Sequence, residues 1–152
     1  MHIAAVWHIF HQQFLASVVA NRVNLIGEHI DYCGYSVCPM AIKQDILLAA
    51  KSTPDELTLR LTNSDPRYHE FEIKLDELRI EQDSGAPEWH SYFLCGLKGV
   101  LDLGQGHGGL MVAVTGNIPA SSGLSSSSAI VCAAALCAAH SRKIYCRLKM
   151  MR

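Results

Sequence analysis

The stretch Leu110-Met111-Val112-Ala113-Val114-Thr115-Gly116-Asn117-Ile118-Pro119-Ala120-Ser121-Ser122-Gly123-Leu124-Ser125-Ser126-Ser127-Ser128-Ala129 decides how the rest of this chain is read. Leu110 to Val114 is short, apolar and partly β-branched, the pattern of a buried strand. From Ala129 to Ala139 every residue is Ala, Val, Ile, Leu or Cys, which predicts a buried helix. Between them lies a loop of small residues. Pro119 fixes its backbone, Gly123 permits close approach, and the serines offer hydroxyls and unencumbered N–H groups. The first turn of a helix has N–H groups without intrahelical partners and carries the positive end of the dipole, so an anion placed there satisfies both. Strand, Gly/Ser loop and helix together make a candidate phosphate cradle. No lysine lies in the loop, which excludes the G-x-x-x-x-G-K-[ST] form. Taken alone, the loop also reads as a serine-rich cap and turn.

A second segment, Arg22-Val23-Asn24-Leu25-Ile26-Gly27-Glu28-His29-Ile30-Asp31-Tyr32, packs Arg, Asn, Glu, His and Asp around one glycine. Val23, Leu25 and Ile26 suit a strand that Gly27 breaks, leaving Glu28, His29 and Asp31 in a tight polar turn. Carboxylates accept from sugar hydroxyls and Arg22 donates, each bond strengthened by the charge. Any one of these residues could be a solvated surface charge. The full set at this spacing suits a polyhydroxylated ligand.

Working outward, Ser36 to Lys51 is mixed apolar, interrupted by Pro39, with a strand expected over Asp45 to Ala50. Leu57 to Thr62 and Phe71 to Leu75 alternate as half-exposed strands, with a turn at Asn63 to Pro66. Glu81 to Pro87 reads as a polar loop. From Tyr92 to Leu103 apolar residues recur at helical spacing up to Gly104. Gln105 to Gly109 is a Gly-rich connection into the Leu110 strand. Strands first, then helix, strand and helix give an α+β arrangement.

Composition narrows the function classes. At 152 residues the chain can form one domain with its own core, and 49% apolar content argues against wholesale disorder. A formal charge of −1 gives no general attraction to nucleic acid or an anionic membrane. Six cysteines show no C-x-x-C and no zinc-finger spacing, so they read as free thiols in a reducing compartment, the cytoplasm. Met1 to Val19 is apolar but lacks a basic n-region, and reads as neither signal peptide nor membrane anchor. His8 and His11 share a helical spacing, without a third metal ligand nearby in sequence. The last eleven residues carry five positive charges and no acid, and read as a solvated basic tail.

Arg22 to Tyr32 closely resembles the galactokinase signature of the GHMP small-molecule kinase superfamily. Gly116 to Ala129 resembles that superfamily's phosphate loop, P-x-x-x-G-L-[GS]-S-S, and Trp89-His90-Ser91-Tyr92-Phe93-Leu94-Cys95-Gly96 is similar to a third galactokinase block. Ile30, Cys33-Gly34-Tyr35-Ser36-Val37 and the Gly-Leu-Ser-Ser-Ser-Ser run look most like the N-acetylgalactosamine kinase branch. The resemblance covers about residues 22–139 and implies the N-terminal domain of a GHMP kinase, a ribosomal-protein-S5-domain-2-like α+β fold, here incomplete. It implies ATP-dependent phosphorylation of galactose or N-acetylgalactosamine at the anomeric hydroxyl, with ATP and Mg²⁺ as cofactors. Glu28, His29 and Asp31 would then grip ring hydroxyls, and Arg22 would stabilise charge on the reacting oxygen. Gly123, Ser125, Ser126 and Ser127 would wrap the phosphates, Ser127 would help to hold Mg²⁺, and Trp89 would lie on the nucleotide side.

The chain also departs from the family. Val19-Ala20-Asn21 stands where the family reads Ala-Pro-Gly before the arginine. The family's catalytic Asp, downstream of the phosphate loop, has no counterpart here. Residues 1–21 read as a divergent leader and 140–152 as a divergent basic tail. The expectation is therefore a truncated form, inactive as a kinase on its own, with a sheet edge and part of the Ala129–Ala139 helix uncovered and prone to self-association. The alternatives are a non-catalytic regulator that binds sugar and nucleotide, or a non-functional truncated product.

Overall fold

Alternation in the run Ile46-Leu47-Leu48-Ala49-Ala50 sets the sheet. Ile46, Leu48 and Ala50 are buried while the residues between them are half-exposed, as in a strand with one face on the core. The computed structural model describes residues 15–27, 30–80, 87–103, 108–119 and 122–141, with the backbone alone for 15–22 and Asp31. Its elements are β1 (Leu15–Ile26), a 3-10 turn (Asp31–Cys33), β2 (Cys38–Thr53), β3 (Thr58–Asn63), β4 (Phe71–Lys74), α1 (Trp89–Leu101), β5 (Gly109–Gly116) and α2 (Ser126–Ser141).

The five strands form one sheet in the order β1-β2-β5-β3-β4. Neighbours are antiparallel except β3 and β5, which run parallel. The register stacks apolar residues on a single face: Leu48 lies opposite Val114 and Ala50 opposite Val112, while Leu59 and Leu61 align with Leu110 and Val112. Over that face lie Phe93, Leu94, Leu97 and Val100 of α1 and Ala129, Ala133, Ala134, Cys137 and Ala138 of α2. Fully burying a side chain such as Phe93 or Leu97 is worth about 1.5–3 kcal/mol, so this layer supplies most of the driving force. The two helices touch backbone to backbone. A Cβ built on Gly96 would sit 2.2 Å from the Val131 carbonyl oxygen.

The α+β arrangement expected from the sequence is the one found, with several changes in detail. β1 begins at Leu15, so part of the stretch read as a leader pairs residue by residue with β2. β2 runs straight through Pro39. That proline pairs with Asn24 in the part of β2 bonded to β1 only, since β5 joins from Ile46 onward. A missing N–H costs little on a side where no strand asks for it. α1 starts at Trp89, three residues before the expected Tyr92, because extended Glu88 (φ −64°, ψ 153°) hands the chain directly into the helix.

The Ala129–Ala139 helix is not buried all round. Cys132, Leu136 and His140 are exposed, while Ala133, Ala134, Cys137 and Ala138 of the same helix pack on the core. No helix among the described residues is long and apolar enough to cross a membrane.

Candidate functional site

The loop from β5 to α2 is anchored before it turns. Asn117 Oδ1 accepts the Asp45 backbone N–H at 2.8 Å, and the Asn117 N–H donates back to the Asp45 carbonyl at 3.2 Å. Ser122 Oγ donates to the Pro119 carbonyl at 2.7 Å, closing the next turn. Gly123 then adopts φ +73° with open space where a Cβ would be, so it is conformation that requires glycine there. Ser125 follows at φ +53°, a left-handed conformation that costs a non-glycine residue about 1–2 kcal/mol. Its carbonyl accepts the Ala129 N–H at 3.1 Å, so this strained residue caps the first turn of α2. The loop thus presents the open N–H groups of that turn together with the hydroxyl-bearing residues Ser125, Ser126 and Ser127.

Opposite stands the connection from β3 to β4, which is fixed at both ends. Ser64 donates its N–H to the Val114 carbonyl at 2.9 Å, and its Oγ lies 2.7 Å from Thr115 Oγ1. At the far end Trp89 Nε1 donates to the His69 carbonyl at 3.1 Å, and the Trp89 ring packs 6.0 Å from Tyr68. Within the connection the Asp65 N–H donates to Asn63 Oδ1 at 2.9 Å. The Arg67 guanidinium forks onto both oxygens of Asp65, with Nε at 3.0 and 3.1 Å and Nη2 at 2.6 Å. Those hydrogen bonds from Arg67 hold the Asp65 carboxyl below its usual range and raise the Arg67 guanidinium in turn.

Between the two walls lies a cleft of about 570 Å³. It runs from Ser122–Ser127 to Tyr68, Trp89 and Tyr92, with Ile46, Val114 and Ile118 as its floor. Ligand sites of small molecules fall in the range of about 300–1,000 Å³ and combine an apolar lining with a few polar groups. Trp89 is only 8% exposed, so it serves as wall and core at once.

The second motif sits at one end of the β1–β2 pair. The register shifts between Ala20 and Arg22, a bulge at Asn21 immediately before the arginine, where the resembled family has Pro-Gly. Gly27 has φ +97° and sits so close to Val37 that a Cβ would meet Cγ1 at 2.7 Å. Asn24 Nδ2 donates to the Gly27 carbonyl at 3.3 Å, and the Ile30 carbonyl accepts from the N–H groups of Cys33 and Tyr35. Asp31 opens the 3-10 turn. Glu28, His29 and the Arg22 and Asp31 side chains lie outside the described residues. His8, His11 and the basic tail beyond Ser141 lie outside them too.

The register nonetheless relates the two motifs. Ala20 pairs with Asp45, and Asp45 is bonded to Asn117, so β1 reaches Arg22 two residues beyond the root of the serine loop. Asn63, Asp65, Arg67, Tyr68 and Tyr92 were not singled out from the sequence. The signal was the Asn-Ser-Asp run after a strand, whose side chains bond to their own backbone in turns of this kind. Among the described residues no cluster of three His, Cys, Asp or Glu could hold a metal ion. Cys33, Cys38, Cys95, Cys132 and Cys137 are unpaired thiols.

Comparison with known proteins adds to this geometry. Residues 9–52 match the galactokinase galactose-binding signature, and residues 91–146 match the GHMP kinases N terminal domain. The galactokinase of Saccharomyces cerevisiae is 40% identical over 128 residues, covering 76% of this chain and 24% of that protein. The galactokinase of Dictyostelium discoideum is 37% identical over 121 residues, with the same shares covered. The chain therefore spans about a quarter of the length of these relatives. Among solved structures, Lactococcus lactis galactokinase complexed with galactose superposes with a TM-score of 0.70 at 27% identity, over 85% of this chain and 34% of that one. Methanococcus jannaschii mevalonate kinase, at 22% identity and a TM-score of 0.68 over 86% of this chain and 41% of its own, shares the fold.

Proposed function

The chain is a galactokinase-like GHMP kinase N-terminal region, and from that premise we propose that it serves ATP-dependent phosphorylation of a galactose-type sugar at its anomeric hydroxyl. The sugar is galactose or N-acetylgalactosamine, and the setting is the reducing cytoplasm. The observation that carries this reading is the cleft itself, with a strained serine loop at a helix start on one side and an aromatic wall on the other. Phosphates suit the first side, because the first turn of a helix leaves N–H groups without intrahelical partners and carries the positive end of the dipole. A nucleoside suits the second, where Tyr68, Trp89 and Tyr92 offer flat apolar surface.

In this reading Gly123, Ser125, Ser126 and Ser127 wrap the triphosphate. Glu28, His29 and Asp31 hold ring hydroxyls, and Arg22 favours negative charge on the attacking oxygen. Phosphoryl transfer depends chiefly on such positioning and charge stabilisation. Magnesium prefers oxygen ligands, retains water and is commonly carried on substrate phosphates. The cleft's donor set fits that mode: it offers hydroxyls and one carboxylate, and Asp65 is already committed to Arg67. Ser127, half-buried in the first turn of α2, is the residue that would add a ligand.

The test is backbone amide NMR with ATP and with each sugar in turn. ATP with Mg²⁺ should shift Ser122–Ser127 and the Tyr68–Tyr92 wall, and galactose or N-acetylgalactosamine should shift residues 22–32. If millimolar ATP leaves the serine loop unmoved, the nucleotide assignment is wrong.

A further inference from the structure

The cleft holds an electrostatic feature that its proposed occupant makes consequential. Among the described residues lining it, Asp65 and Arg67 are the only charged ones, and they are bonded to each other. The serine loop contributes N–H groups and hydroxyls but no formal charge. The pair is asymmetric: the Arg67 side chain is 79% exposed and that of Asp65 30%. Asp65 is fixed through its backbone by Asn63, and its Oδ1 accepts a fourth bond, from the Arg67 backbone N–H, at 3.0 Å. The connection is further tied to β5 through Ser64. Arg67 also lies over the Tyr68 ring, 5.9 Å from its centroid. A long, exposed cation is thus held at the rim of a cleft by a carboxylate more deeply set than itself.

Resting on the reading that this cleft takes a nucleotide, we propose that the Asp65–Arg67 pair sets the cleft's selectivity for polyphosphate. Arg67 is the specificity-determining cation that favours a triphosphate, and Asp65 both aims and attenuates it. The pair brings the described lining to zero net charge. Removing Asp65's charge leaves the lining at +1, and removing Arg67's leaves it at −1. The two halves of one ion pair must then act on an anionic ligand with opposite signs. A purely structural role predicts the same sign, because breaking the pair from either side loosens the same connection.

The experiment is calorimetric titration of the whole chain and its Asp65→Asn, Arg67→Gln and Arg67→Lys variants with Mg-ATP and with adenosine, at low and at raised salt. A unit charge about 10 Å from a triphosphate is worth roughly five-fold in affinity at low salt and much less once screened. Asp65→Asn should tighten ATP binding by about that factor and Arg67→Gln should weaken it similarly, while Arg67→Lys retains most of the affinity. Adenosine, which carries no phosphate, should respond to none of the three. Thermal melts should show the same small loss for Asp65→Asn and Arg67→Gln, which separates stability from ligand charge. Wild-type binding of ATP with both variants shifted in the same direction, or with neither shifted, overturns this inference and leaves the nucleotide reading intact. A wild-type chain that binds adenosine but not ATP overturns both.

Discussion

Gly96 and Gly99 lie one turn apart in α1 and should respond to alanine in opposite directions. In an open helix position, replacing glycine by alanine stabilises by about 1 kcal/mol, through lower backbone entropy in the unfolded chain and better helix propensity. Gly99 is exposed and a Cβ there would meet nothing within 4 Å, so it should show most of that gain. At Gly96 the new Cβ would lie 2.2 Å from the Val131 carbonyl oxygen, 2.9 Å from Ala134 Cβ and 3.1 Å from the Ala135 nitrogen. The first and last are backbone atoms of a helix packed on the sheet, so no rotamer change relieves them. α1 and α2 must instead separate by about an ångström. Overpacking of a close-packed interior costs about 1–3 kcal/mol, and contact with rigid backbone belongs at the upper end. Against the intrinsic gain, Gly96→Ala should destabilise by about 2 kcal/mol, leaving the two variants about 3 kcal/mol apart. For a chain of this size that difference corresponds to roughly 6–12 °C in Tm. Urea unfolding followed by circular dichroism should show the midpoints diverging at constant m. If Gly96→Ala lies within about 0.5 kcal/mol of wild type, the backbone contact between the helices is not there, and the small-residue packing of α2 needs another explanation.

Two further outcomes follow from single residues. Burial pushes the Cys137 thiol from an ordinary 9.0 up to about 12, so in the folded chain it stays neutral where the unfolded chain would ionise. Its contribution is intact below pH 9 and is lost as pH rises from there towards 12, with a slope approaching 1.4 kcal/mol per pH unit. Cys137→Ala should flatten that part of an alkaline stability profile, and native-state thiol labelling should modify Cys33, Cys38, Cys95 and Cys132 well before Cys137. Ser125→Gly should raise stability by about 0.5–1 kcal/mol by relieving the left-handed strain, while weakening nucleotide binding if the hydroxyl is used there. A variant less stable than wild type would mean that the φ of +53° carries no strain.

The strands and helices were legible where one period dominated. Leu59 and Leu61 alternate with Arg60 and Thr62, so that strand declared both itself and its buried face, whereas the all-apolar Leu110–Val114 declared a strand but not its face. β2 was harder. Its first half pairs with one neighbour and its second half with two, and Pro39 in the singly bonded half looks in sequence like a break. The extent of burial of α2 was not legible either, because a run of Ala, Val, Ile and Cys has no periodicity from which to read a face. The buried side is shown instead by Ala129, Ala133, Ala134, Cys137 and Ala138 in the core and by Gly96 against Val131. Much of the aromatic and charged wall of the cleft went unread for a different reason. Asn63, Asp65 and Arg67 act through bonds to their own backbone and to each other, and a turn signature looks the same whether or not a ligand faces it.

What the sequence shows as two distant motifs, the sheet makes one object, and the element responsible is β2. Near its midpoint Asp45 pairs with Ala20 of β1 and exchanges two hydrogen bonds with Asn117 at the root of the serine loop. From Ile46 onward β2 is bonded on both sides, so this junction cannot open without tearing the β1–β2–β5 pairing at the edge of the main core. The backbone of Arg22 and the start of the phosphate-type loop are therefore held in fixed relation by strand hydrogen bonds rather than by flexible loops. A transfer reaction whose barrier is lowered mainly by holding two reactants in line needs that rigidity more than any single side chain. The strain in this region, at Ser125, lies in the loop wall, where it can shape a ligand's approach, and not in the strands that set the spacing.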